Sequence, residues 1–124
     1  MKFYICRSCG NIVEKVEDSG QPLVCCGQKM DELVANSTDA ANEKHVPVIE
    51  ENGNEVVVTV GSVEHPMLEE HHISWIYLVT DRGIQRKYLE VDKAPKATVA
   101  LEDGEKVKAA YEYCNLHGLW IKEV

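Results

Sequence analysis

Five cysteines divide as four plus one, and that division limits what the 124-residue chain can fold into. Cys6, Cys9, Cys25 and Cys26 form a C-x2-C…C-C set near the start, while Cys114 stands alone near the end, in Cys114-Asn115-Leu116-His117. The segment holding the first set is loop-rich, punctuated by Gly10, Gly20, Pro22 and Gly27. It has too few apolar side chains to fold without a staple. A metal held by clustered thiols supplies one. An odd cysteine count fits a four-plus-one division better than a disulfide framework.

The start of the chain, Met1-Lys2-Phe3-Tyr4-Ile5-Cys6, lacks the apolar stretch of a signal peptide. No window approaches the roughly 18 apolar residues of a membrane span. A cytoplasmic location without membrane association is therefore expected. In that compartment thiols stay reduced, and clustered cysteines serve as metal ligands more often than as disulfides. The formal net charge of −8 argues against a nucleic-acid partner. It is unevenly spread: net −1 over residues 1–36 and −7 over residues 37–124.

The pattern predicts an all-β chain of two domains, a small metal-knuckle module over 1–36 and a β-sandwich over 37–124. Phe3–Cys6 and Ile12–Val16 suit short strands in the first. Residues 35–44 are small and polar and read as a linker. Runs at His45–Glu50, Glu55–Val60, His72–Thr80, Ile84–Leu89, Lys96–Leu101, Val107–Tyr113 and Leu119–Ile121 make about seven short strands, the count of a β-sandwich. A hydrophobic share of 44% suffices for its core. Residues 105–113 also fit a helix.

In the first cysteine set, the C-x2-C spacer lets two sulfurs face one ion while nearby backbone N–H groups point at them. Cys25 and Cys26 are adjacent, so they cannot both sit in relaxed knuckles, and a distorted tetrahedron of sulfurs is expected. Zinc and iron both accept four thiolates, and spacing does not choose between them.

Around Cys114 the candidates are His45, His65, either His71 or His72, and His117. His65 and His71 are six apart, a separation that would place both on one face of a strand, although Pro66 interrupts regular pairing between them, and parity with His65 favours His71 over its neighbour. His45 is expected to open a strand, with Pro47 at a sheet edge. Four neutral imidazoles and one thiolate leave one octahedral position open, which suits Fe(II) with an exchangeable ligand. A copper site of two histidines, one cysteine and a methionine, for which Met67 is available, is the rival reading. Lys44, beside His45, offers a positive charge at the mouth, and Glu43 lies next to it.

These residues resemble the desulfoferrodoxin family of superoxide reductases. The likeness rests on Tyr4–Val13, Leu23–Gln28, Glu43–Val48, Val60–Met67, His71 and Tyr113–Trp120, and it covers nearly the whole chain. It implies a desulforedoxin-like, rubredoxin-like module with an Fe(Cys)4 centre on Cys6, Cys9, Cys25 and Cys26. It also implies an immunoglobulin-like β-sandwich with an Fe(His)4(Cys) centre, equatorial on His45, His65, His71 and His117 and axial on Cys114. The cofactors are then two non-haem irons. By the same resemblance, Lys44 steers superoxide and hydrogen-bonds the bound product, and Glu43 is the sixth ligand of the oxidised resting state. The implied activity is one-electron reduction of superoxide to hydrogen peroxide. A rubredoxin-like electron donor and a homodimer are also implied. The positions before His71 read Leu68-Glu69-Glu70, and His72 stands where the family often carries an aromatic residue.

Overall fold

The computed structural model describes residues 1–124, which form two compact units, Met1–Val34 and Ala35–Val124. In the first, β1 (Phe3–Ile5) is the centre of a three-stranded antiparallel sheet, flanked by β2 (Ile12–Glu14) and β5 (Asp31–Leu33). Between them β3 (Val24–Cys25) and β4 (Gln28–Lys29) form a hairpin. Its turn residues, Cys26 and Gly27, have φ of 53° and 71°. Positive φ at both central positions is the type I′ geometry, whose twist matches that of the flanking strands. The buried apolar side chains here are Phe3, Ile5, Met30 and Leu33, with Cys6 beside them. Such a small set does not stabilise a unit of this length without a cross-link.

The second unit is a β-sandwich of seven strands. One sheet holds β6 (Pro47–Asn52), β7 (Glu55–Val60) and β10 (Lys96–Ala100), in the order β10-β7-β6. The other holds β8 (Ile73–Thr80), β9 (Ile84–Tyr88), β11 (Val107–Cys114) and β12 (Gly118–Glu123), in the order β12-β11-β8-β9. This order matches the A-B-E and G-F-C-C′ sheets of immunoglobulin-like domains. β7 and β10 alternate as a half-buried sheet requires, while β8 is buried along most of its length. Val56, Val58, Val60, Ala97 and Val99 from one sheet meet Ile73, Ile76, Leu78, Val107, Ala110 and Cys114 from the other in one core.

Three local expectations are corrected. His45 does not open a strand. It ends a single helical turn, α1 (Asn42–His45), in a segment read as linker. Pro47 disfavours helical geometry in the residue before it, and Val46 is accordingly extended, at φ −69° and ψ 124°. Val107–Tyr113 is strand as expected, and the helical alternative falls away because β11 pairs with β8 on one side and β12 on the other, and ladder pairing overrides propensity. His65 and His71 lie in the connection between β7 and β8, not on one strand face. Nor is the segment after Ala35 a free linker. The Asn36 N–H donates to the Leu119 carbonyl at 3.0 Å, and its side-chain amide bonds both the carbonyl and the N–H of Ile121. The only helix is this one turn, and no helix is long and apolar enough to cross a membrane.

Candidate metal centres

The first centre is built by two tight turns. After β1, the Gly10 N–H donates to the Cys6 carbonyl at 2.8 Å and the Cys6 N–H to the Asn11 carbonyl at 2.9 Å, curling Cys6–Cys9 into a knuckle. The β3–β4 turn brings Cys25 and Cys26 to it. The four sulfurs converge, with Cys9 Sγ 3.6 Å from Cys25 Sγ and Cys25 Sγ 4.0 Å from Cys26 Sγ. Bonds of about 2.3 Å to a tetrahedral ion put sulfurs about 3.8 Å apart, so the spacing fits an ion at the centre. Adjacent ligands are possible because Cys26 adopts the left-handed conformation that starts the turn. The backbone N–H groups of Cys9 and Ser8 draw the Cys6 thiol down to about 7. Hydrogen bonds with the crowded thiols of Cys9 and Cys6 push Cys25 up to about 12. Four thiols in this space do not ionise together unless a cation joins them, which is the electrostatic signature of a metal site.

The second centre draws on three separate segments: α1 supplies His45, the β7–β8 connection His65 and His71, and the end of β11 with the turn after it Cys114 and His117. The four rings close into a cycle. Centroids are 4.8 Å apart for His45–His65, 4.5 Å for His65–His71, 5.1 Å for His71–His117 and 4.8 Å for His117–His45. Successive ring planes meet at 76°, 82°, 76° and 89°. This is a propeller of imidazoles at the corners of a square. His45 Nε2 lies 3.0 Å from His117 Nδ1. Neighbouring nitrogens of a square with bonds of about 2.1 Å are separated by about 3.0 Å. Cys114 Sγ is 3.5 Å from His65 Nε2 and 3.8 Å from His117 Nδ1. Those rings occupy opposite corners, so nearly equal distances put the sulfur about midway between them, with all five donor atoms within 4.8 Å of one another.

Backbone carbonyls set the tautomers. His45 Nδ1–H donates to Ala41 O at 2.7 Å and His65 Nδ1–H to Pro66 O at 2.6 Å, which leaves each Nε2 lone pair facing inward. Burial holds His45, His65 and His71 below the ordinary imidazole range, His65 at about 4. They are therefore neutral and competent to bind a cation at neutral pH. His71 Nε2 is buried without a hydrogen-bond partner, an orphaned donor atom that a metal would satisfy. Burial raises the Cys114 thiol, while the backbone N–H groups of Leu116 and His117 pull the other way and receive the thiolate. A register shift between Tyr113 and Cys114 pairs Cys114 with Ile73 and keeps the sulfur pointing into the core. Glu112, two residues earlier, is fully buried, and burial pushes its carboxyl up to about 9. It thus adds no second negative charge near the sulfur at neutral pH.

His72 stands outside this group, its Nδ1 being 3.0 Å from Leu68 O and 3.1 Å from Glu69 O. Met67 stands outside it too. Its sulfur accepts the Ile73 N–H at 3.3 Å within the core, which removes the methionine that the copper reading needs. Glu43 and Lys44 are exposed on the same helical turn as His45. That turn is pinned by its middle: the Glu43 carbonyl accepts the Val63 N–H at 2.8 Å and the Ser62 hydroxyl at 3.3 Å. Sequence reasoning passed over Trp120, which stacks on His45 with centroids 4.9 Å apart and donates its indole N–H to His117 O at 3.1 Å. A tryptophan inside an alternating strand, needing a partner for its N–H, was the available signal.

Residues 37–123 match the Desulfoferrodoxin family, and residues 1–33 match the family described as Desulfoferrodoxin, N-terminal domain. A desulfoferrodoxin homolog of Archaeoglobus fulgidus is 49% identical over 121 residues, 97% of this chain and 94% of that protein. The crystal structure of the superoxide reductase from Treponema pallidum superposes with a TM-score of 0.82 at 41% identity, covering 98% of each chain. The superoxide reductase (1Fe-SOR) of Giardia intestinalis covers 66% of this chain and 97% of its own, with a TM-score of 0.58 and 34% identity. The set of four cysteines and the set of four histidines with one cysteine match the two-iron arrangement of desulfoferrodoxins. The chain belongs to the desulfoferrodoxin family.

Proposed function

We propose that this chain is a superoxide reductase, adding one electron and two protons to superoxide and releasing hydrogen peroxide. The observation that carries the reading is the second donor set, four imidazoles in a square with one sulfur midway between two opposite rings. Five donors would leave a six-coordinate metal one position for an exchangeable ligand. The superoxide reductases of Treponema pallidum and Giardia intestinalis, both similar in fold and sequence, support the assignment. Iron held by His45, His65, His71, His117 and Cys114 supplies the electron, and a rubredoxin-like donor returns it.

The remaining work falls to side chains. Cys114 would hold the iron as the one thiolate among the five donors and would lend it electron density, chemistry that suits release of peroxide with its O–O bond intact. Lys44, exposed beside His45, offsets the acidic surface and draws in a small anion. Its ammonium also orders the water that delivers protons. Glu43, one residue earlier, would supply a sixth donor to the iron in the oxidised resting protein, a role that the resemblance to the family implies. Cys6, Cys9, Cys25 and Cys26 hold the other iron and staple the first unit. The reading extends to a cytoplasmic homodimer, supported by the resemblance to the family and by thiol ligands that a reducing compartment preserves.

Lys44→Ala should slow superoxide association by roughly twofold or more and flatten its dependence on ionic strength, measured by pulse radiolysis of the reduced protein. An unchanged second-order rate would remove Lys44 from the reading. His71→Ala should perturb the visible absorption of the histidine–thiolate centre and lower its iron content, whereas His72→Ala should leave both as they are. The opposite pattern would reassign the fourth nitrogen.

A further inference from the structure

We propose that the Asn115 side chain is the positioning residue for His71, locking the loop that carries this imidazole to the turn that carries Cys114. The inference rests on His71 being the fourth equatorial ligand. Three hydrogen bonds converge on Asn115. The His72 N–H donates to Asn115 Oδ1 at 2.9 Å, Asn115 Nδ2–H donates to the Glu70 carbonyl at 3.0 Å, and the Asn115 N–H donates to the His72 carbonyl at 3.2 Å. One amide therefore grips the backbone on both sides of His71.

The two partners need this link. His71 lies in a connection whose only internal ties around it are the reciprocal bonds between Leu68 and His71, at 2.9 and 3.2 Å, and the His72 ring on Leu68 and Glu69. His45 and His65 are oriented by ring N–H bonds to carbonyls, and at His71 the flanking backbone is held instead. Asn115 has a firm base. It opens the three-residue turn between β11 and β12, where Cys114 pairs with Gly118 and Gly118 takes φ +81°, the left-handed residue that closes such turns. Asparagine alone offers an acceptor and a donor on one short planar group, so it reaches the His72 N–H and the Glu70 carbonyl together.

The test uses the two-iron protein and reads iron loss to a ferrous chelator together with the visible band of the oxidised histidine–thiolate centre. The tetrathiolate spectrum serves as internal control. Asn115→Ala should release iron from the histidine–thiolate centre about tenfold faster and shift its band, with the tetrathiolate spectrum unchanged. Asn115→Asp keeps the acceptor for His72 but sets a carboxylate against the Glu70 carbonyl, and should fall between the two. It is isosteric and carries the test if the alanine variant does not fold. In a His71→Ala background, Asn115→Ala should change the loss rate by less than about twofold, because the two act as one unit. Parental iron loss and band position in both Asn115 variants would overturn the proposal. So would an Asn115→Ala effect equally large in the His71→Ala background, which would mark a general role in the turn. If His71→Ala itself alters neither band nor iron content, the underlying ligand assignment is what fails.

Discussion

Cys114→Ser is expected to abolish the sulfur-to-iron charge-transfer absorption of the histidine–thiolate centre while the tetrathiolate spectrum survives. The sulfur is fully buried and lies about midway between two opposite imidazoles of the square, 3.5 Å from His65 Nε2 and 3.8 Å from His117 Nδ1. A serine hydroxyl there is smaller, stays protonated at neutral pH, and has no thiolate electrons to donate. The variant should retain iron about a hundredfold less tightly or worse, since losing a ligand costs at least as much as losing its supporting shell. Superoxide reduction should fall with it. Iron content, visible spectra and circular dichroism on one sample separate the loss of the ligand from a loss of the fold. A band of parental position and strength would show that another group ligates the iron.

Gly61→Ala is the second large effect. A Cβ at Gly61 would stand 2.6 Å from the Glu43 carbonyl oxygen, 3.1 Å from Lys44 C and 3.1 Å from the Val46 carbonyl oxygen. All three atoms are backbone, so no side chain can rotate away, and the clash must move α1 or be borne as strain. Overpacking of this kind costs about 3 kcal/mol, a large share of a small domain's stability of about 5–15 kcal/mol. Because α1 carries Glu43, Lys44 and His45, relief by displacement would also disturb the square of imidazoles. Urea unfolding should show the loss of stability, and the band of the histidine–thiolate centre should shift in whatever protein folds. An alanine variant with parental stability and spectrum would mean that α1 does not depend on this close approach.

The β-sandwich was legible because short runs rich in β-branched residues, such as Glu55–Val60, recur between turn signals. Within them, Glu55–Val60 and Lys96–Ala100 bury every second residue. The cysteines and histidines were legible as sets because few other roles gather such residues. The setting of His45 was not. The run His45–Glu50 reads as one strand, yet Pro47 and the contacts of the Glu43 carbonyl with Ser62 and Val63 turn its first residue into the end of a helical turn. Those contacts span residues distant in sequence and involve backbone atoms, which carry no residue signature. The same holds for the carbonyls of Ala41 and Pro66 that orient His45 and His65. Parity between His65 and His71 pointed to His71 for a reason the fold does not use, since both lie in a connection without strand geometry. The convergence of Cys25 and Cys26 depended on a left-handed cysteine, a conformation that residue type does not advertise.

The products of the reaction give the most direct test of superoxide reduction. Reduced two-iron protein should be mixed anaerobically with a known amount of superoxide, and hydrogen peroxide and oxygen measured together. Reduction predicts one peroxide for each superoxide consumed, no oxygen released, and oxidation of the histidine–thiolate centre in step. Oxygen appearing at one molecule for every two superoxides would mark a dismutase and contradict the account, as would superoxide decay no faster than in buffer.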